Sequence, residues 1–125
     1  MLITANQILC HLIGDYLFQN TWMAMNKVNS WFVAAVHATV YTIPFLIVTQ
    51  APAALAFILG THCIIDRFRL ARYVMWAVNG FKQGALATGY PEQTPPWLST
   101  WLLIIVDNTF HITLNGVGIY LLGNL

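Results

Sequence analysis

The chain has 125 residues, a formal net charge of +1, 58% hydrophobic residues and 7% charged ones. Soluble domains carry roughly 25% charged residues, so an ordinary water-facing surface is excluded and lipid is the expected solvent. So small a net charge leaves no nucleic-acid footprint, and the length suits a single transmembrane domain over residues 1–125.

In chain order, the first predicted span covers residues 2–18 and is interrupted by Asn6, Gln7, His11 and Asp15. The second covers 31–48, where Pro44 predicts a kink. Pro52 predicts a turn into the third, 53–66, which is short against the ~20 residues a full crossing needs. Residues 67–84 read as an interfacial amphipathic helix, with Arg67, Arg69, Arg72 and Lys82 interspersed among Phe68, Leu70, Val74 and Val78. Gly84, Gly89, Pro91 and Pro95 mark a loop before the fourth span, 97–122. Trp22, Trp31, Trp97 and Trp101 lie near segment ends, as an aromatic belt would. The expected fold is an all-α integral membrane four-helix bundle with an additional cytoplasmic amphipathic helix. Lys27, Arg67, Arg69, Arg72 and Lys82 then share one side, so the basic loops are expected in the cytoplasm and both termini outside. Cys10 and Cys63 have no CxxC spacing and read as packing residues. The N-terminus has no basic region of the signal-peptide kind.

The four histidines, His11, His37, His62 and His111, and the aspartates Asp15, Asp66 and Asp107 all fall in or at the ends of these segments. Ionisable groups inside a bilayer are costly and are functional candidates. His11 with Asp15, His62 with Asp66, and Asp107 with His111 are each four residues apart, which places both side chains on one helix face. Chance supplies roughly 0.2 such pairs in this composition, so the pattern calls for an explanation. All seven gather toward the predicted cytoplasmic half. Imidazole and carboxylate on facing helices suit zinc first, and manganese or iron less well. Seven groups exceed one tetrahedral ion, so either two ions share them or some orient the ligands. Gln19, Asn20, Asn108 and Asn115 read as caps or interhelical hydrogen bonds, and Gly14, Gly116 and Gly118 as close-packing positions.

The run His11-Leu12-Ile13-Gly14-Asp15-Tyr16, the lone His37, His62 with Asp66, and Asp107 with His111 together resemble an uncharacterised family of small bacterial and bacteriophage membrane proteins with HLxGD, HxxxD and DxxxH motifs. More loosely, the HxxxD habit is similar to bacterial membrane-bound metal-dependent hydrolases. The resemblance implies a multi-pass protein of the bacterial inner membrane. Three functions stay open. One is a metal-dependent hydrolase acting on a lipid or polyprenyl phosphate, with Arg67, Arg69 and Arg72 holding the headgroup. The second is a non-enzymatic interaction protein, such as a phage-encoded envelope modifier, with a structural metal or polar network. The third is an ion or metal transporter. Membrane lipid is the expected partner in each, and four short spans make a homo-oligomer reasonable.

Overall fold

The computed structural model describes residues 1–125 and is all-α, without strands. It divides into two compact units, residues 1–68 with 111–125, and residues 69–110.

The first unit opens with α1, Ala5–Leu12. A reciprocal cap starts it: the Gln7 amide donates to Thr4 Oγ1 at 3.3 Å, and the Thr4 amide to Gln7 Oε1 at 3.1 Å. α1 runs directly into a π-helical turn, Ile13–Leu17. A short helix not expected from the sequence follows, α2, Thr21–Asn26, capped by Asn20 Oδ1 on the Met23 amide at 2.9 Å. α3 covers Trp31–Thr42. Pro44 brings no N–H to the helical ladder, and the chain tightens there into a 3-10 turn, Ile43–Ile47. Cys10 Sγ donates to the Pro44 carbonyl at 3.3 Å, so this thiol packs against the kink. α4, Pro52–Phe68, begins on a proline, whose missing N–H costs nothing at that position. The last helix, α6, covers Pro96–Leu122, and its residues from His111 onward belong to this unit.

The expected helix 67–84 is shorter and separate. Arg69 adopts the left-handed region (φ 50°, ψ 53°) and breaks the run of helix. α5 then covers only Leu70–Val78 in the second unit, burying Ala71 and Met75 and exposing Tyr73, Val74 and Val78. Gly89, at φ 86°, lies so close to the α5 backbone that a Cβ would collide with the Arg72 carbonyl.

Helix length meets the four-span expectation at one helix. One helix, α6, is long and apolar enough to cross a membrane. Only 22% of its apolar window is buried, unlike the core helix of a soluble protein. Trp31–Ile47 is apolar but shorter. α4 has 17 residues and α1 has eight, below the ~20 of a full crossing.

The interior of the first unit is unusually polar. A small apolar cluster of Cys10, Tyr41, Phe45 and Ile58 is packed by Val48, Leu55 and Ile119. Beside it His11, His37, His62, His111 and Asn115 are all fully buried. Large apolar side chains face outward instead: Leu17 is 75% exposed, Phe32 71% and Ile47 84%.

Candidate metal centre

Helical spacing aims the polar side chains at one point. On α4, His62 and Asp66 are one turn apart and both buried. On α3, His37 and Tyr41 follow the same rule, as do His111 and Asn115 on α6. The π turn carries Asp15, and its Gly14 permits close approach to α3. A Cβ there would lie 2.7 Å from the Tyr41 carbonyl oxygen and 2.8 Å from its ring.

Asp15, His37, His62 and Asp66 form a buried group that can hold a metal ion, with ligand atoms all within 4.8 Å of one another. His37 Nε2 and His62 Nε2 are 2.9 Å apart. Asp66 Oδ2 is 3.2 Å from each of them. Asp15 Oδ1 is 3.2 Å from His37 Nε2 and 3.8 Å from His62 Nε2. Four donors bound tetrahedrally at zinc distances stand about 3.3–3.6 Å apart, so these separations match to within a few tenths of an ångström. Lys27 Nζ is 2.5 Å from Asp66 Oδ2 and 3.5 Å from His37 Nε2.

Proton counting supports the same fit. His111 Nε2 is 3.1 Å from Asp66 Oδ1, a contact between imidazole and carboxylate that needs a proton on the nitrogen. A neutral His111 then carries no proton on Nδ1, which accepts from His62 Nδ1–H at 3.1 Å. His62 is left with a lone pair on Nε2, aimed at the centre. This tautomer follows from the pairing of neighbours. His37 meets Asp15, Asp66, His62 and Lys27 through one atom, Nε2, while its Nδ1 is buried without a partner. Several acceptors thus converge with too few protons, an arrangement that a single cation relieves. His111, holding both His62 and Asp66, is a ligand-orienting neighbour of the kind metal centres use.

One turn away the wiring differs. Asn115 Nδ2 donates to the Tyr41 hydroxyl at 2.6 Å, and that hydroxyl is 2.8 Å from His11 Nδ1. With Asn115 donating to it, the Tyr41 hydroxyl can donate its own proton to His11 Nδ1. The Tyr41 ring lies flat on His62, with centroids 3.5 Å apart and planes at 12°, and fixes that ligand's plane.

Of the seven histidines and aspartates expected to ligate, the structure thus brings four to one point, and His111 beside them. His11 meets Tyr41, one turn of α3 beyond the His37 that Asp15 meets. Asp107, one turn before His111 on α6, is partly buried and is not a member of the four-residue group. Arg67 donates to the Val28 carbonyl and lies 5.2 Å over the Trp31 ring. In the second unit, Arg72 donates to the Tyr73 hydroxyl at 2.8 Å, and Arg69 occupies the left-handed break. Sequence reasoning missed Lys27 and Tyr41. Tyr41 was legible, four residues after His37; Lys27, at the end of an unforeseen helix, carried no signal beyond its charge.

The model of a family described as "Protein of unknown function (DUF3307)" matches residues 3–114, and the chain belongs to that family. No curated protein and no solved structure matches.

Proposed function

For this member of that family we propose a helical membrane protein whose buried centre binds one divalent transition metal, zinc before manganese or iron. We infer further that it hydrolyses a phosphate ester of a lipid or polyprenyl chain at the cytoplasmic leaflet of a bacterial inner membrane. The observation that carries the reading is the convergence of two imidazole nitrogens and two carboxylate oxygens, all buried, at near-tetrahedral separations. The outward apolar side chains and the mostly exposed apolar α6 support lipid as the solvent. Shorter helices are accommodated in this reading by local thinning and by packing between copies.

The ligand atoms of His37, His62 and Asp66 form the tighter triangle, with sides of 2.9, 3.2 and 3.2 Å. Three protein ligands with one open position are the pattern of catalytic zinc. In the hydrolytic reading Asp15, farther from His62 at 3.8 Å, would leave the fourth position open and would serve as general base toward a water held there. A bound divalent ion supplies Lewis acidity toward phosphoryl oxygen and acidifies water. His111 holds His62 in its ligating tautomer, and Tyr41 holds its plane. Arg69 and Arg72 are proposed to contact headgroup phosphate at the interface; Arg67 serves Val28 and Trp31.

Elemental mass spectrometry on protein purified in neutral detergent tests the centre. About one zinc per chain is expected, and next to none in His62→Ala. Wild-type protein without zinc, manganese or iron overturns the reading. Alkaline carbonate extraction tests the membrane assignment, with the chain expected in the pellet. Chelator-sensitive phosphate release from phosphatidic acid tests hydrolysis. The near-complete burial of all four ligands favours a second reading, a closed structural metal in a non-enzymatic interaction protein. In that case chelation lowers the melting temperature and no phosphate is released.

A further inference from the structure

A cavity of about 410 Å³ lies wholly within the second unit. One wall is α5, where Trp76 stands three residues from Tyr73 and four from Arg72, so that the three share a face. The other wall is the loop 85–89. The Leu86 amide donates to the Tyr90 carbonyl at 2.8 Å, and the Gly89 amide to the Leu86 carbonyl at 2.9 Å. Gly89, without a Cβ, seats this loop on the α5 backbone at Arg72, and the Tyr90 hydroxyl donates to Met75 Sδ at 3.0 Å on the buried face of α5. Trp76 is held by its Nε1, which donates to the Lys82 carbonyl at 2.9 Å. Both walls are therefore fixed.

The polar groups of this cavity are incompletely satisfied. Arg72 donates from Nη2 to the Tyr73 hydroxyl, with its guanidinium 4.7 Å from the Tyr73 ring centre, but its Nε is buried without a hydrogen-bond partner. The hydroxyl of Thr88, between the lining residues Ala87 and Gly89, is buried without a partner as well. A buried donor that lacks an acceptor is costly. The unit's own acids do not supply one. Glu92 is exposed and stands by Gly84, Asp107 lies on α6, and neither lines the cavity or pairs with Arg72. With Arg69, Arg72 and Lys82 against these two acids, the unit is left at +1. The rest of the lining is apolar, from Trp76, Ala85, Leu86 and Ala87, and the same segment exposes Val74, Val78 and Phe81. A ligand that fits both features carries an anionic oxygen group beside an apolar body, as the phosphate headgroup of a lipid does.

We propose that this cavity is a headgroup site for an anionic phospholipid: Arg72 takes a phosphate oxygen, and Trp76 and Leu86 pack against the part of the lipid next to it. The proposal rests on the membrane part of the reading above and not on the metal. It gives the second unit a ligand of its own, so it is measurable without turnover and without zinc.

Native mass spectrometry of the full-length, metal-stripped protein in neutral detergent reads lipid binding, with phosphatidylglycerol or phosphatidylcholine added at equal concentration. About one phosphatidylglycerol per chain is expected, held about tenfold more tightly than phosphatidylcholine. Arg72→Gln is expected to lose that preference. Ala87→Trp keeps the arginine but fills the cavity, and is expected to lose the bound lipid; it carries the test if Arg72→Gln does not fold. Lys82→Gln, exposed and outside the cavity, is expected to keep the preference, whereas a diffuse surface attraction draws on every cation alike. Displacement of phosphatidylglycerol by excess dimethyl phosphate assigns recognition to the phosphate group alone, as in a soluble ester; retention assigns the headgroup with its chain. Equal binding of the two lipids, a preference that survives Arg72→Gln or falls equally in Lys82→Gln, or binding undiminished in Ala87→Trp overturns the proposal. Release of the chain from membranes by alkaline carbonate is a different result and overturns the membrane reading itself.

Discussion

The His37–His62 pair and the His11–Tyr41 pair occupy neighbouring turns of the same buried interior, yet they solve opposite problems. Around His11 every polar atom named has a complementary one: Asn115 donates to Tyr41, and Tyr41 has a proton for His11. Around His37 and His62, nitrogens and carboxylate oxygens face one another at 2.9–3.8 Å with too few protons to join them. Both layers are buried and both contain histidine. Burial alone therefore does not mark a ligand; a deficit of protons does.

The sharpest test of that contrast is Asp66→Asn. It removes a ligand and leaves Lys27 without its carboxylate, so zinc is expected to be lost and stability to fall by about 3–5 kcal/mol. Thermal unfolding in detergent with and without chelator reads both: wild type shifts and the variant does not. His111→Phe keeps every atom of the four-residue group but removes the acceptor for His62 and the donor for Asp66. Zinc affinity should drop by about 10–100-fold with the stoichiometry retained at saturation. Gly14→Ala strikes both layers at once, through the Tyr41 backbone and ring. A loss of about 1–3 kcal/mol by denaturant titration is expected. Tyr41→Phe is the mildest, about 1 kcal/mol, and should leave zinc stoichiometry unchanged. If Tyr41→Phe emptied the centre, the division into two layers would be wrong.

Much of the site was legible because helices repeat. His62 and Asp66 share a face as their spacing requires, Asn115 makes an interhelical hydrogen bond as expected, and His111, expected as a ligand, stands beside the four-residue group. Asn20 caps a helix, and Pro44 bends the chain. Other features depended on what spacing does not encode. The helix over the arginines stops at Arg69 in a left-handed conformation that propensity would not assign to arginine. Lys27 reaches Asp66 across 39 residues, a meeting set by tertiary packing. His11 and Asp15 satisfy the same four-residue spacing as His62 and Asp66 but meet successive turns of α3, Tyr41 and His37, so only Asp15 joins the centre.

That turn places a constraint on chain length. A π turn holds one residue more than the α-helical turn it replaces, and Asp15, which meets His37, lies inside it. The segment thus acts as a spacer whose count matters more than its side chains. Leu17 offers a clean separation, being 75% exposed. Leu17→Ala should leave zinc binding intact. Deleting Leu17 should restore regular helix, shift Asp15 from His37 and abolish zinc binding, whereas deleting Gln83 from the 79–95 loop should not. A natural insertion or deletion within 13–17 would then be the variation this chain tolerates least.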